Sequence, residues 1–434
     1  MSVKEIAEIA RKAKLASSQI AALSNDMRSQ ALIAYGEEIE KNQERILAAN
    51  IKDLENATAQ SISKALLDRL KLDSSKLGSV VSGINQIAKM PDPLGKIDLA
   101  RELDHGLELF RISCPIGLIG VVFESRPDAL PQIASLCLKS GNAIILKGGS
   151  EAEHSNKVLF ECIIKACQNS EIPTDAFALL ESRSEFSELL KADEYVDLII
   201  PRGSNELVRS IQENTNIKVL GHADGVCHIY IDSSADWDKV APIVVDAKIQ
   251  YPAACNAVET ILMHSDIAPQ MVTGVCHALK ERNVQIKCDK KVKNLLPAEF
   301  DAQLTDQWHT EYGDLTVAVK IVDDIDEAIE HINKYGSGHT ECMIGEDRDL
   351  FEKFFTQVNS AGIYLNASTR FADGYRYGFG AEVGISTSNM HPRGPVGIEG
   401  LVTYKYKLIG NGQIVSDYVG KDARTFSHKN LTNS

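Results

Sequence analysis

The 434-residue chain is 44% hydrophobic and 24% charged, with a formal charge of −14 at pH 7. That length exceeds what a single core supports, so two large domains of an ordinary soluble protein are expected. The acidic balance, with no basic block, excludes a general binder of nucleic acid or anionic membrane.

Nine cysteines without CxxC or Cys/His spacing fit neither a disulfide framework nor a zinc site, which points to a reducing cytoplasm and no metal. The opening "MSVKEIAEIARKAKLASSQIAAL" mixes charge into its apolar periodicity and lacks the continuous core of a signal peptide. The longest apolar run, "IGLIGVVF", is too short to span a bilayer.

Residues 1 to about 90 read as helices, with Ile6, Ile9 and Ala10 at helical spacing. "LELFRISCPIGLIGVVF" switches to two strands split at Pro115 and Gly117, the second continuously apolar, as in a sheet covered on both faces. A helix from Pro131 to Gly141, strand "NAIILK", turn "GGS" and helix "EAEHSNKVLFECIIKACQ" complete a βαβα order, which predicts a parallel sheet. The unit repeats in "YVDLIIPRGSNELVRSIQEN". "IKVLGHADGVCHIYID" reads as two strands, residues 236 to 250 as a helix, "AVETILMH" and "TVAVKIV" as strands, and "DDIDEAIEHINKYG" as a helix ending at Gly336. The glycine-rich stretch from 367 to 407 reads as ordered loops and a closing strand, and the polar tail from 426 as frayed.

Three kinds of residue suit chemistry. Cys255, on the small-residue turn "YPAACNAVET", suits a nucleophile whose pKa is lowered by turn N–H groups or a nearby cation; a buried structural thiol is the competing reading. The turns "LKGGS" (Lys147, Gly148, Gly149, Ser150) and "PRGSN" (Arg202, Gly203, Ser204) both follow a strand and open a helix, as a dinucleotide site requires. Arg126, Arg370 and Arg376, with Asn366, suit a substrate bearing several negative charges, although each arginine alone reads first as a surface residue or a loop-bracing salt bridge. His222 and His339 read as structural or loop histidines.

The stretches "VVFESRPDALPQIASLCLKSGNAIILKGGSEAEHSN", "LIIPRGSNELV", "VLGHADGVCHIYID", "DAKIQYPAACNAVET", "HTEYGDL" and "NASTRFADGYRYGFGAEVGIST" together resemble the gamma-glutamyl phosphate reductase family, the glutamate-5-semialdehyde dehydrogenases. The likeness runs from about residue 5 to 415, especially to the reductase half of the bifunctional plant enzyme of proline synthesis. It implies an α/β fold of the aldehyde dehydrogenase superfamily: two Rossmann-like parallel-sheet domains and a small β oligomerisation flap. The NADPH-binding domain would take residues 1–100 and 113–225, with 364–395 returning to it; the catalytic domain 226–363; the flap 101–112 and 396–425; and the frayed tail 426–434.

The resemblance also implies roles. Cys255 would be the nucleophile, Lys147 would lie at the adenosine ribose, Gly203 and Ser204 near the pyrophosphate, and Glu311 of "TEYGD" near the nicotinamide ribose. Ser150 stands where NAD-using members carry a glutamate, which permits NADPH. Gly221 stands near where hydrolytic members carry a water-activating glutamate, so phosphate rather than water would meet the acyl group. Arg126 falls about where the superfamily's oxyanion asparagine lies.

The implied reaction is NADPH-dependent reduction of L-glutamyl 5-phosphate to glutamate 5-semialdehyde through a Cys255 thioester. Arg126 would hold phosphate, and Asn366 and Arg370 the amino-acid end. A separate glutamate kinase and at least a homodimer follow as partners. An NAD-dependent hydrolytic dehydrogenase and a catalytically silent dinucleotide-binding scaffold are the alternatives.

Overall fold

The structure, a computed structural model, describes residues 3–221, 224–298 and 300–431. Two parallel sheets organise it. The first has four strands in the spatial order Phe177–Leu180, Ala143–Gly148, Leu118–Phe123, Leu198–Arg202. Its two middle strands are buried at every residue, as their unbroken apolar runs predict. The amino-terminal helices Val3–Ala22 and Asn25–Lys41 share one hydrophobic core with this sheet, joined by Ala381, Val383, Val396 and Leu401 from the far end of the chain.

The second sheet has seven parallel strands in the order Ala302–Leu304, Gln285–Cys288, Thr316–Val322, Val258–His264, Cys227–Ile231, Thr340–Ile344, Gly362–Leu365. Helices Trp237–Ile249 and Ala268–Lys280 cover one face, and helices Ile325–Tyr335 and Arg348–Gln357 contribute to the core on the other.

An antiparallel sheet of Val402–Ile409, Leu107–Pro115, Ile97–Asp104 and Lys429–Asn430 stands apart as the flap. Its strands reach beyond residues 101–112. The tail read as frayed instead pairs with Ile97–Asp104 over Arg101↔Asn430 and Glu102↔Lys429, because that strand's outer edge is otherwise unpaired. Among the described residues of "IKVLGHADGVCHIYID", only Cys227–Ile231 forms a strand; Val219 contributes a single bridge to Ile199. Among the described residues, no helix is long and apolar enough to cross a membrane.

Candidate active site

Cys255 sits between helix Trp237–Ile249 and strand Val258–His264, on two successive turns closed by Ala254 N–H to Tyr251 O (3.1 Å) and Ala257 N–H to Ala254 O (2.8 Å). The neighbouring chain presses against it: a Cβ on Gly225 would stand 2.5 Å from Cys255 Cα, so only glycine allows this approach. The Cys227 thiol donates to Cys255 O at 3.3 Å. The thiol therefore lies where chain enters the second sheet, at its amino-terminal edge.

His339, which precedes strand Thr340–Ile344 at the same edge, brings its Nε2 to 3.2 Å from Cys255 Sγ. Its Nδ1 lies 2.8 Å from Thr340 Oγ1, and Gly362 N–H donates to its carbonyl at 2.9 Å. Glu311 enters from the loop before strand Thr316–Val322, its Oε2 accepting from Asn205 Nδ2 at 3.1 Å. The same amide donates to Asp224 at 3.0 Å.

Burial pushes the Cys255 thiol up to about 12, helped by the negative charges of Glu311 and Glu382 and opposed by Arg202 and Arg370. The expected lowering of this pKa is thus corrected: two guanidinium groups face the sulfur, but desolvation and two carboxylates outweigh them. The crevice also holds carboxylates that Gly221 alone did not suggest. A Cβ at Gly221 would meet Pro201 first, 3.2 Å from its Cγ.

Arg202 ends its strand with Nη1 donating to Glu382 O at 3.0 Å; burial lowers its pKa, opposed by the charges of Glu382 and Cys255. Glu382 is raised by burial, opposed chiefly by Arg202, and its Oε2 accepts Gly374 N–H at 2.9 Å. Arg370 is buried, with Nε donating to Gln250 Oε1 at 2.9 Å, and Arg376 braces it by donating to its carbonyl. Arg126 is exposed, with Asp128 at 3.6 Å, and its charge acts on both Arg202 and Glu382.

Asn366 is not brought to the thiol. It follows strand Gly362–Leu365 at the opposite edge of the sheet and uses both ends of its amide on Gly345, at 3.0 and 2.9 Å. Its task is to turn the chain back, so that Ala372 O can receive Asn256 Nδ2 at 2.8 Å beside Cys255.

The first sheet offers its carboxyl edge. Gly148 and Gly149 end strand Ala143–Gly148 flush: a Cβ on either would collide with the Asn156 amide or the Glu151 carboxylate. Around them lie Ser150, Glu153 and Lys157. Lys147 is buried, its ammonium bonded to Gly148 O and its pKa lowered by burial.

Asn156 Oδ1 is buried without a hydrogen-bond partner. A bare glycine turn, an orphaned polar atom and two lysines fit the adenosine end of a dinucleotide. At the point where the strand order reverses, Ser204 caps helix Asn205–Glu213 through Leu207 N–H (3.4 Å), and Glu124 Oε2 accepts Ser204 N–H at 2.9 Å. A Cβ on Gly203 would stand 2.4 Å from Glu124 Oε2 and 2.7 Å from Leu207 Cδ2, so only glycine fits against them.

Sequence reasoning missed His339, Glu382 and the effect of Arg202 on the thiol. His222 lies outside the described residues.

The chain was compared with known proteins. Residues 1–294 match the aldehyde dehydrogenase family. The chain is 52% identical to the gamma-glutamyl phosphate reductase of Nostoc punctiforme over 98% of its own length and 97% of that protein. The crystal structure of gamma-glutamyl phosphate reductase from Thermotoga maritima superposes with a TM-score of 0.92 at 36% identity, covering 94% of this chain and 99% of that one. At 15% identity, an acetylating aldehyde dehydrogenase from Geobacillus thermoglucosidasius shares the fold, with a TM-score of 0.65 over 95% of this chain and 98% of the other.

Proposed function

The chain belongs to the aldehyde dehydrogenase family and, within it, to the gamma-glutamyl phosphate reductases of proline biosynthesis; from that premise we propose the course of its reaction and the residues that carry it. The substrate is L-glutamyl 5-phosphate and the reductant NADPH. The products are L-glutamate 5-semialdehyde and phosphate.

Cys255 Sγ attacks the acyl carbon, the acyl–phosphate bond breaks with its electron pair on phosphate, and a thioester remains. The bound nicotinamide supplies a hydride to this carbon. Collapse of the resulting thiohemiacetal frees the aldehyde and the sulfur. Holding the acyl group covalently keeps it in place while phosphate departs.

The observation that carries this reading is the convergence at Cys255: a thiol at the meeting of the two sheets, acted on by Arg202 and Arg370. Arg202, desolvated and acting on the thiol, stabilises the oxyanion in place of the missing asparagine. Arg126 at the mouth meets the phosphate, and Arg370 the α-carboxylate. Glu382 complements the α-ammonium, a cation that explains a carboxylate in a site for an anionic substrate.

The Lys147–Ser150 turn and Asn156 hold the adenosine end, and Gly203 and Ser204 the pyrophosphate, with Glu124 yielding the Ser204 N–H. Glu311 takes the nicotinamide ribose. Neutral Ser150 leaves room for the 2′-phosphate of NADPH.

The enzyme works in the cytoplasm beside a separate glutamate kinase. It self-associates through the flap, whose edge strand Val402–Ile409 exposes Tyr404, Tyr406 and Leu408. The test is reduction of NADP by glutamate 5-semialdehyde. It is expected to need phosphate, to prefer NADP over NAD, and to fall at least about a thousandfold in Cys255→Ala. Full rate without phosphate, or activity surviving in Cys255→Ala, would sink the reading.

A further inference from the structure

Burial, with the charges of Glu311 and Glu382, holds the Cys255 thiol protonated at neutral pH. Attack by Cys255 at neutral pH therefore needs a base that removes the proton as the sulfur–carbon bond forms. The departing phosphate poses the reverse problem, because it must gain a proton to leave as hydrogen phosphate.

We propose that His339 is the proton carrier of this site, an assignment that rests on the thioester reading: Nε2 takes the proton from Cys255 Sγ and passes it to the phosphate. As the S–C bond forms, the S–H bond breaks and its pair serves the new bond. As the acyl C–O bond breaks, its pair stays on phosphate oxygen, which receives the proton from Nε2. When the sulfur is later expelled from the reduced adduct, one proton from water restores the thiol, and that is the one proton the overall reduction consumes.

The geometry is that of a held catalytic pair. Nε2 stands 3.2 Å from Sγ, within reach of proton transfer once the substrate tightens the site. His339 is 1% exposed, so the ring is not a solvent-swept surface group. Backbone fixes it on both sides, with Ala361 N–H donating to Gly338 O and Gly362 N–H to His339 O, each at 2.9 Å.

Thr340 Oγ1, 2.8 Å from Nδ1, can accept Nδ1–H, which leaves the Nε2 lone pair facing sulfur. The charged and titratable groups around the pair are Glu311 from its loop, Glu382 and Arg370 from the returning chain, Arg202 from the first sheet, and Cys227 from the adjoining strand.

The experiment is iodoacetamide labelling of Cys255 in the full chain across pH, read by mass, with phosphate-dependent activity measured in parallel. Wild type is expected to show a stretch of constant rate above the imidazole's titration. His339→Gln is expected to label at least tenfold more slowly at neutral pH, its rate rising tenfold per pH unit throughout, with activity falling alongside. Glu382→Gln should keep the constant stretch, which separates its titration from that of His339.

If His339→Gln labels at the wild-type rate with the wild-type profile, or if the constant stretch vanishes in Glu382→Gln instead, the proposal is overturned. Should His339→Gln not fold, Thr340→Val decides: labelling two- to fivefold slower supports the carrier, and an unchanged rate overturns it. Failure of the thioester itself reads differently, as activity in Cys255→Ala with His339 intact.

Discussion

The two parallel sheets meet at the site by opposite edges. The four-stranded sheet presents the carboxyl ends of its strands, where Gly148, Gly149 and Gly203 pack too closely against neighbouring side chains to carry one of their own, at the edge where open α/β sheets generally bind ligands. The seven-stranded sheet presents the amino ends: Cys255, His339 and Glu311 all stand on chain about to enter a strand. One edge binds through backbone that asks for the absence of side chains. The other works through side chains whose positions depend on what is buried behind them.

That contrast predicts where substitutions do most harm. The largest effect is expected behind the catalytic edge, at the buried pair Lys248–Glu259, 2.8 Å apart and 0% and 1% exposed. Glu259 also accepts Gly313 N–H at 3.3 Å, which fixes the loop carrying Glu311. Lys248→Met should lose about 3 kcal/mol in chemical denaturation, because a buried carboxyl is left unpaired.

The loss should be smaller at pH 5 than at pH 8. Burial already raises Glu259 to about 7 from 4.5, so the unfolded chain ionises first and stability falls as pH rises. Wild-type stability in Lys248→Met would dissolve the distinction between the edges.

A smaller effect is expected at the backbone edge. Gly148→Ala drives a methyl into the Asn156 amide and should weaken NADPH binding about tenfold by fluorescence titration, roughly 1.4 kcal/mol, with the reactivity of Cys255 untouched. A matching change in iodoacetamide labelling would mean that the two edges are one unit. The smallest is Glu382→Gln, where KM for the acyl phosphate should rise roughly fivefold, about 1 kcal/mol, while kcat stays within about twofold. An unchanged KM would remove Glu382 from the ammonium.

The same contrast explains what could be read from sequence. Glycine turns between a strand and a helix are local, so those at Gly148 and Gly203, with Ser204 as a helix cap, were legible as turns, as was the small-residue turn that carries Cys255. His339 stands 84 residues from Cys255, and the parallel pairing of Val258–His264 with Cys227–Ile231 and of Cys227–Ile231 with Thr340–Ile344 brings them to one edge. The available signal was a histidine between a helix-ending Gly336 and an apolar strand, a place where a polar ring must find a partner.

Arg202 was assigned by its turn, and its bond to Glu382 O and its effect on the thiol lie beyond what the turn could show. Asn366 was assigned by its company in a glycine-rich loop, although the loop's path carries it to the far edge. The pKa of Cys255 depends on burial and on Glu311 and Glu382, none of which local sequence can supply.

Asn205 has a consequence of its own. Its amide begins a helix of the first sheet, yet its two donor contacts reach Asp224 and Glu311 on chain belonging to the second. Arg209 of the same helix holds Asp224 as well, but Glu311 is tied to the helix through the Asn205 amide. Any widening of the crevice there must surrender that amide's hold, so the freedom of the carboxylate and the gap between the sheets change together.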